Sequence, residues 1–333
     1  MPASRPHLLI LGVGSIGERH LRCFQSTGRC DVSFCEPLAT RRDDVAARYG
    51  VRGYATWQEA LEHETITAAL IASPAPFHVP TAIDLASREI DLFIEKPLSL
   101  SLERIDELQA VVAEKGVRAA VAFVYRALPA LRQMREAIHS GRFGAVVQVQ
   151  VQSGQHFPFY RPAYREIYYA DPAMGGGAIQ DMMPHHVNAV EWIVGPTDRI
   201  VADAAHAVLE GVTVEDTVNF LTRHGSILGS FTANQHQAVN EFVLTVHCER
   251  GSARWEMKGH RWLSALEIGG EWREEAAFTH ERDDFYRLQA EAFLDHLMLG
   301  VPALCPLADG ITTLKTTVAT LESLKTGRWI TPA

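Results

Sequence analysis

The run Gly12-Val13-Gly14-Ser15-Ile16-Gly17 constrains this chain more than any other stretch. It follows the apolar segment His7-Leu8-Leu9-Ile10-Leu11, which reads as a strand, and it opens Ile16 to Thr27, which has helical periodicity. In that context the three glycines have separate uses. Gly12 permits a tight turn, Gly14 lets backbone approach a pyrophosphate, and Gly17 allows close helix–strand packing. The helix start then presents free N–H groups and the positive end of its dipole to phosphate. The second strand, Asp31 to Cys35, leads into Glu36, nineteen positions after Gly17. An acid there accepts hydrogen bonds from ribose hydroxyls and repels a 2′-phosphate, which favours NAD over NADP. Arg41 and Arg42 follow closely and are able to neutralise such a phosphate, so NADP stays open; they also suit a solvated helix start.

The pattern beyond this point extends the parallel α/β arrangement. Arg41 to Tyr49 reads as a second helix ending at Gly50, and Ala68 to Ala72, Leu92 to Ile94 and Val117 to Phe123 read as strands. Val79 to Arg88 and Leu102 to Lys115 are helical in period. Strands and helices alternating at this spacing predict a doubly wound parallel sheet, a Rossmann domain over residues 1–123. The character changes near Val124. A helix over Leu128 to His139 leads into Val146 to Gln152, which alternates apolar and polar residues, and several similar segments follow between Ile200 and Glu267. Two helices, Phe285 to Leu299 and Leu307 to Leu324, close the chain. The expectation is a second α/β domain, residues 124–333, with a large, open, mostly antiparallel sheet for substrate binding and oligomerisation.

Bulk properties narrow the function class. The 333 residues are 47% hydrophobic and 21% charged, enough for two cores, and the net charge of −9 comes without any basic run. A nucleic-acid or anionic-membrane partner is therefore not expected. The apolar run Leu8 to Val13 is too short for a signal segment or a membrane span. Five cysteines, an odd number with no CxxC pair, fit a reducing cytoplasm rather than a disulfide or zinc scaffold.

Three further segments are Glu95-Lys96-Pro97, Gly175-Gly176-Gly177-Ala178-Ile179-Gln180-Asp181-Met182-Met183-Pro184-His185, and the Asp309-Gly310 helix ending near Gly327-Arg328. With the glycine loop they make the chain, over nearly its whole length, resemble the glucose–fructose oxidoreductase/inositol dehydrogenase/MocA family. The resemblance implies hydride transfer between nicotinamide and a secondary alcohol of a sugar, sugar acid or cyclitol. By matching motif positions it implies Lys96, Asp181 and His185 as the catalytic trio. It places Ser73, Pro74, His78, Glu95 and Arg126 with Gly12, Gly14, Ser15, Ile16, Gly17, Glu36 and Lys96 around the cofactor. Where many members have glycine this chain has Met183, and where many have aspartate it has Asn188. An asparagine usual before the arginine is replaced in Val124-Tyr125-Arg126.

These residue types suit that chemistry. An imidazole titrating near neutrality can take the hydroxyl proton as hydride leaves carbon, and return it in reverse. Asp181, four positions before His185, faces the same side if the backbone there is helical, and so can orient the ring. Lys96 can donate to the same oxygen and stabilise developing alkoxide charge. Each also has an ordinary use: Asp181 as an N-cap, Lys96 as an exposed charge, and His185 or His186 as a satisfied core histidine. No HExxH or cysteine set accompanies them, so no metal is expected.

The aromatic and cationic stretch Gln155 to Arg165 offers Tyr160, Arg161, Tyr164 and Arg165 to substrate hydroxyls or a carboxylate, alongside Lys96, Asp181 and His185. A packed surface loop or an oligomer contact would use the same residues. The open sheet suggests a homodimer or homotetramer. Two alternatives to a dehydrogenase stand. Bound NAD can cycle within one turnover, giving glycoside hydrolysis or epimer-type chemistry, or the chain can be a non-catalytic cofactor-sensing regulator.

Overall fold

The structure, a computed structural model, describes residues 5–333. The chain divides into two compact units: one of residues up to 127 together with 281–311, the other of 128–280 with 312–333.

The first unit opens with β1 (His7–Leu11), α1 (Ser15–Thr27), β2 (Asp31–Cys35) and α2 (Ala39–Tyr49). It continues with β3 (Gly53–Tyr54), α3 (Trp57–His63), β4 (Ala68–Ile71) and α4 (His78–Ala86). β5 (Asp91–Ile94), α5 (Ile105–Lys115) and β6 (Ala119–Val121) complete its sheet. The six strands are parallel in the order β3-β2-β1-β4-β5-β6, so the sheet reverses direction of growth between β1 and β4. In such sheets ligands bind beyond the carboxyl ends of the strands at that switch point. Leu9, Ile10, Ala69, Leu70, Leu92 and Ile94 have no exposure at all, which is why these strands read as unbroken apolar runs. Sequence periodicity missed β3 and α3, because a two-residue strand and a seven-residue helix are too short to show a period.

The second unit carries α6 (Pro129–His139), β7 (Val146–Gly154), the short α7 (Phe157–Tyr160), α8 (Ala178–Asp181) and α9 (Met183–Val194). Its strands continue as β8 (Arg199–Ala205), β9 (Thr217–His224), β10 (Ile227–Asn234), β11 (Glu241–Cys248), β12 (Gly251–Glu256), β13 (Arg261–Ala265) and β14 (Arg273–Ala277). Eight strands lie in the order β14-β13-β12-β11-β7-β10-β9-β8; only β7 and β10 run parallel. Val149 and Val151 of β7, Val218 and Phe220 of β9, and Phe231 and Ala233 of β10 are buried. Gln150, Gln152, Asn219, Leu221 and Thr232 between them face outward. That alternation is what made the sheet readable from sequence.

Two helices follow, α10 (Asp284–Leu299) and α11 (Leu307–Thr326). The boundary expected at residue 124 lies close to the first crossing at 127/128, but the return of 281–311 to the first unit was not foreseen. Aromatic packing draws α10 back: Phe293 stacks on Phe93 of β5 at 4.5 Å and meets Phe24 of α1 edge-on at 6.2 Å. Asp283, just before α10, pairs with Arg19 and Arg22 of α1. None of these partners is adjacent in sequence, so no local pattern announces them.

Candidate functional site

In the first unit the site begins at the glycine loop. Gly12 has φ +88°, in the left-handed region, and its amide donates to the Cys35 carbonyl at 2.9 Å. Gly14 is the N-cap of α1, with φ −66° and ψ −170°; a Cβ placed on it would meet nothing within 4 Å. A Cβ on Gly17 would run into the Gly12 carbonyl oxygen and lie 3.3 Å from the Ala72 Cβ. Gly12 thus makes the turn and Gly17 the close packing contact that the sequence suggested, and Gly14 leaves an open face. Ser15 and Ile16 form the first turn of α1, where backbone N–H groups lack intrahelical partners.

Glu36 is 5% exposed at the end of β2. Its carboxylate accepts the Val13 amide at 3.4 Å and the Leu38 amide at 3.1 Å, which turns it toward the glycine loop. Arg41 reaches it at 3.5 Å, while Arg42 donates to the carbonyls of Glu36 and Pro37. Both arginines are thereby engaged locally.

Beyond β4, the Ser73 amide nitrogen lies 3.2 Å from where a Gly12 Cβ would be, and the Ser73 Oγ is shielded from solvent with no protein partner. Pro74 caps a single 3₁₀ turn that leads into α4. His78 is buried; its Nε2 lies 2.7 Å from the Ser73 carbonyl and its Nδ1 2.9 Å from the Pro97 carbonyl. Burial pushes its pKa below the ordinary histidine value while the two carbonyls raise it; the ring packs between the two loops, and its neutral form donates to only one of those carbonyls. Pro97 follows Lys96 through a cis peptide bond.

Two expected cofactor residues face inward. Both Glu95 oxygens are used inside the unit, Oε1 by His20 at 2.6 Å and Oε2 by the Lys96 amide at 2.9 Å. Arg126 is 2% exposed, and its Nη1 donates to the Leu304 carbonyl at 3.1 Å and the Asp309 carboxylate at 2.5 Å. It clasps the first turn of α11, since a guanidinium buried this deeply needs fixed acceptors. Gly310 completes that contact, since a Cβ there would strike the Val121 side chain. The Asp309-Gly310 pair is therefore a packing device.

In the second unit the glycine triplet turns sharply before α8. Gly175 and Gly177 both have φ +91°; a Cβ on Gly176 would meet the Tyr169 and Asp171 carbonyls, and one on Gly177 the Glu215 carboxylate at 2.5 Å. Glu215 accepts the Ile179 amide at 2.9 Å, and burial raises its pKa. Asp181 ends α8, and the Asp181 and Met182 amides donate to Gly177 and Ala178. The His185 amide donates to Met182 at 3.2 Å, a three-residue step at the joint with α9. The backbone from Asp181 to His185 is thus close to helical, the condition for the pair to share a side. Sequence reasoning missed Tyr168, whose hydroxyl donates to Asp181 Oδ1 at 2.9 Å. His186 differs from its neighbour: fully buried, 4.2 Å from the Phe242 ring centroid, it is pushed down to about 3 by burial alone.

The aromatic stretch splits. Tyr164 is 1% exposed, packs against Phe157 and Tyr169, and gives its hydroxyl to the Glu210 carbonyl at 2.6 Å. It is a core residue, which corrects its place among the substrate contacts: its ring is enclosed and its one donor is spent. Arg165 donates to the same carbonyl at 2.7 Å and lies over the Tyr164 ring, so it clamps that loop from outside. Tyr160 and Phe159 are exposed and, with His156, Pro158 and Ala238, border an open cavity of about 500 Å³; Arg161 is exposed beside them. Among the described residues no helix is long and apolar enough to cross a membrane, and no cluster of three potential ligands could hold a metal.

Comparison with known proteins agrees with this layout. Residues 7–123 match the NAD-binding Rossmann-fold domain of the GFO/IDH/MocA oxidoreductases, and residues 131–254 match a C-terminal domain of the same family. The rhizopine catabolism protein MocA of Rhizobium meliloti is 28% identical over 202 residues, 60% of this chain and 61% of its own length. The scyllo-inositol 2-dehydrogenase (NAD(+)) of Bacillus subtilis is 25% identical over 251 residues, 73% of this chain. The chain spans 64% of that enzyme, so both matches fall just short of two thirds of the relative. A levoglucosan dehydrogenase solved with NADH superposes with a TM-score of 0.89 at 19% identity, covering 98% of this chain and 99% of its own. The WlbA dehydrogenase of Bordetella pertussis, solved with NADH and UDP-GlcNAcA, gives 0.86 at 22% identity, over 99% of each chain. At these identities the two structures establish the fold. With both of its domains matched in order, the chain belongs to the GFO/IDH/MocA oxidoreductase family, and its first unit is the family's NAD-binding Rossmann domain.

Proposed function

We propose that this protein is an NAD-dependent dehydrogenase that oxidises a secondary alcohol of a sugar, sugar acid or cyclitol. One observation carries the cofactor side: the start of α1 is open at Gly14 while a buried carboxylate, Glu36, sits at the end of β2. The free amides of Ser15, Ile16 and Gly17 suit a pyrophosphate, and Glu36 suits the ribose diol. Ser73 offers a shielded hydroxyl without a protein partner, in the loop that Pro74 and His78 shape. Nicotinamide, once bound, supplies the hydride acceptor.

On the protein side Lys96 donates to the substrate oxygen and stabilises its developing negative charge. His185 takes the hydroxyl proton, and Asp181 orients the imidazole. Tyr168 supports the aspartate by donating to Oδ1. The substrate class is favoured by relatives named scyllo-inositol and inositol 2-dehydrogenase and levoglucosan dehydrogenase. Exposed Tyr160 and Arg161 are the members of the aromatic stretch fit to touch a polyol. The outward face of the eight-stranded sheet, with Leu221 and Leu228 exposed on it, supports a homo-oligomer. The five cysteines form no disulfide among the described residues, which supports a cytoplasmic setting.

A screen of NAD⁺ and NADP⁺ reduction against sugars, sugar acids, glycosides and cyclitols tests this reading. Free NADH forming in step with product is expected, with NAD⁺ preferred. Product without net NADH would point instead to transient oxidation on bound NAD. Unchanged turnover in Lys96→Ala and His185→Ala would remove the assigned roles.

A further inference from the structure

One buried titratable group of the first unit has no part in the reading above. His20 lies on α1, three residues past Gly17, with no solvent exposure. Its Nε2 is 2.6 Å from Glu95 Oε1, and the second carboxylate oxygen accepts the Lys96 amide at 2.9 Å. The ring is edge-on to Phe93 and Tyr286, with centroids 5.9 and 5.5 Å away, and Nδ1 meets no polar partner. A carboxylate only accepts, so Nε2 is the donor of the pair. Other charged or titratable groups near the pair include Lys96, His78, Arg19 and the Tyr286 hydroxyl, with Arg19 stacked 4.9 Å over the Tyr286 ring.

We infer that His20 is a positioning residue: through Glu95 it fixes the backbone of Lys96 and ties that lysine to the helix whose start receives the cofactor phosphates. The inference rests on the role proposed for Lys96. A carboxylate held by two donors has one rotamer, and here the donors come from different elements, α1 and the end of β5. α1 can deliver His20 to that point only because Gly17 lets it lie against Gly12. The strut therefore registers the phosphate end of the site against its reacting end.

Packing alone is the competing account, and two substitutions separate them. His20→Phe keeps an aromatic ring against Phe93 and Tyr286 and removes the N–H; His20→Gln loses the ring and keeps an amide N–H at similar reach. Hydrogen–deuterium exchange of the NADH-loaded protein, read in peptides covering residues 92–99, needs no substrate. Turnover with a substrate from the screen is the second readout. In His20→Phe exchange at the Lys96 amide should rise about tenfold and kcat should fall about tenfold, the worth of one hydrogen bond to a charged group. KM for NAD⁺ should stay within about twofold, and His20→Gln should restore both readouts. The inference is overturned if His20→Phe matches the wild type, if His20→Gln fails equally, or if exchange rises evenly over β1 and β4 as well. If His20→Phe does not accumulate folded, Glu95→Met removes the acceptor from its other side at nearly constant volume and is read identically. If the wild type oxidises no sugar, the proposed function falls while the exchange pattern still decides the strut.

Discussion

Gly14 and Gly17 stand three residues apart in one loop, yet a single methyl group should be tolerated by the fold at one and not at the other. At Gly14 the backbone, φ −66° and ψ −170°, is open to any L residue, and no atom lies within 4 Å of a new Cβ. Gly14→Ala should therefore leave the free protein within about 1 kcal/mol of the wild type, since the entropy removed from the unfolded chain is set against alanine's poorer standing at an N-cap. For a unit of this size that is about 2–4 °C in melting temperature per kcal/mol. The same methyl occupies the space the loop offers to phosphate, and NADH affinity should fall at least about tenfold, roughly 1.4 kcal/mol. At Gly17 the new Cβ would overlap the Gly12 carbonyl, a backbone atom with nowhere to go. Gly17→Ala should cost about 1–3 kcal/mol of stability, as an overpacked contact does. Differential scanning fluorimetry and NADH titration by fluorescence measure both quantities on the same samples. Wild-type NADH affinity in Gly14→Ala would refute the phosphate assignment; a loss of stability in that variant as large as in Gly17→Ala would refute the geometry itself.

Three other outcomes follow from single groups. Tyr168→Phe removes the donor to Asp181 Oδ1 and should lower kcat/KM about fivefold with NADH affinity unchanged, since the pair is partly exposed and a hydrogen bond there contributes about 1 kcal/mol; steady-state kinetics with the screened substrate read it. Glu36→Ala frees the Arg41 guanidinium and opens room for a 2′-phosphate, so the NAD⁺ to NADP⁺ ratio of kcat/KM should drop at least about tenfold; an unchanged ratio would mean Glu36 does not face the ribose. His186 has its folded pKa pushed down to about 3, below the unfolded histidine value, so the unfolded chain takes up the proton first and stability falls as pH drops from about 6.5 toward 3. Urea unfolding at pH 7 and 5.5 should show His186→Phe losing about 1 kcal/mol less than the wild type over that interval.

The residues that announced themselves in the sequence were those whose constraint is local. Gly12, Gly14 and Gly17 sit within one strand–turn–helix, and Glu36 at the end of the next strand, so spacing alone marked the NAD-binding domain. Val149, Phe220 and Phe231 alternate with polar neighbours, so the second sheet showed its two faces. Tyr164 misled because a tyrosine in a polar stretch looks the same whether its hydroxyl seeks a ligand or a backbone carbonyl; Glu210, which takes that hydroxyl, is forty-six residues away. Tyr168 stood beside the same stretch, and only the fold of the loop turns it toward Asp181. Arg126 has its acceptors at Leu304 and Asp309, and His20 has Glu95, seventy-five positions on. A residue whose partner lies at that remove carries no mark in its own neighbourhood.

The crossing of the chain has a consequence for how the molecule is made. The first unit holds the N-terminal end of the sequence, but its aromatic core closes only when α10 brings Phe293 onto Phe93 and Phe24. On the ribosome the glycine loop and all six parallel strands emerge long before that helix exists. During that interval the faces of Phe24 and Phe93 that α10 will cover have nothing to pack against, and exposed apolar surface of this kind invites wrong partners. The second unit's strands are synthesised inside the same waiting period. Completion of the NAD-binding unit is thus timed by the arrival of α10, near the far end of the chain.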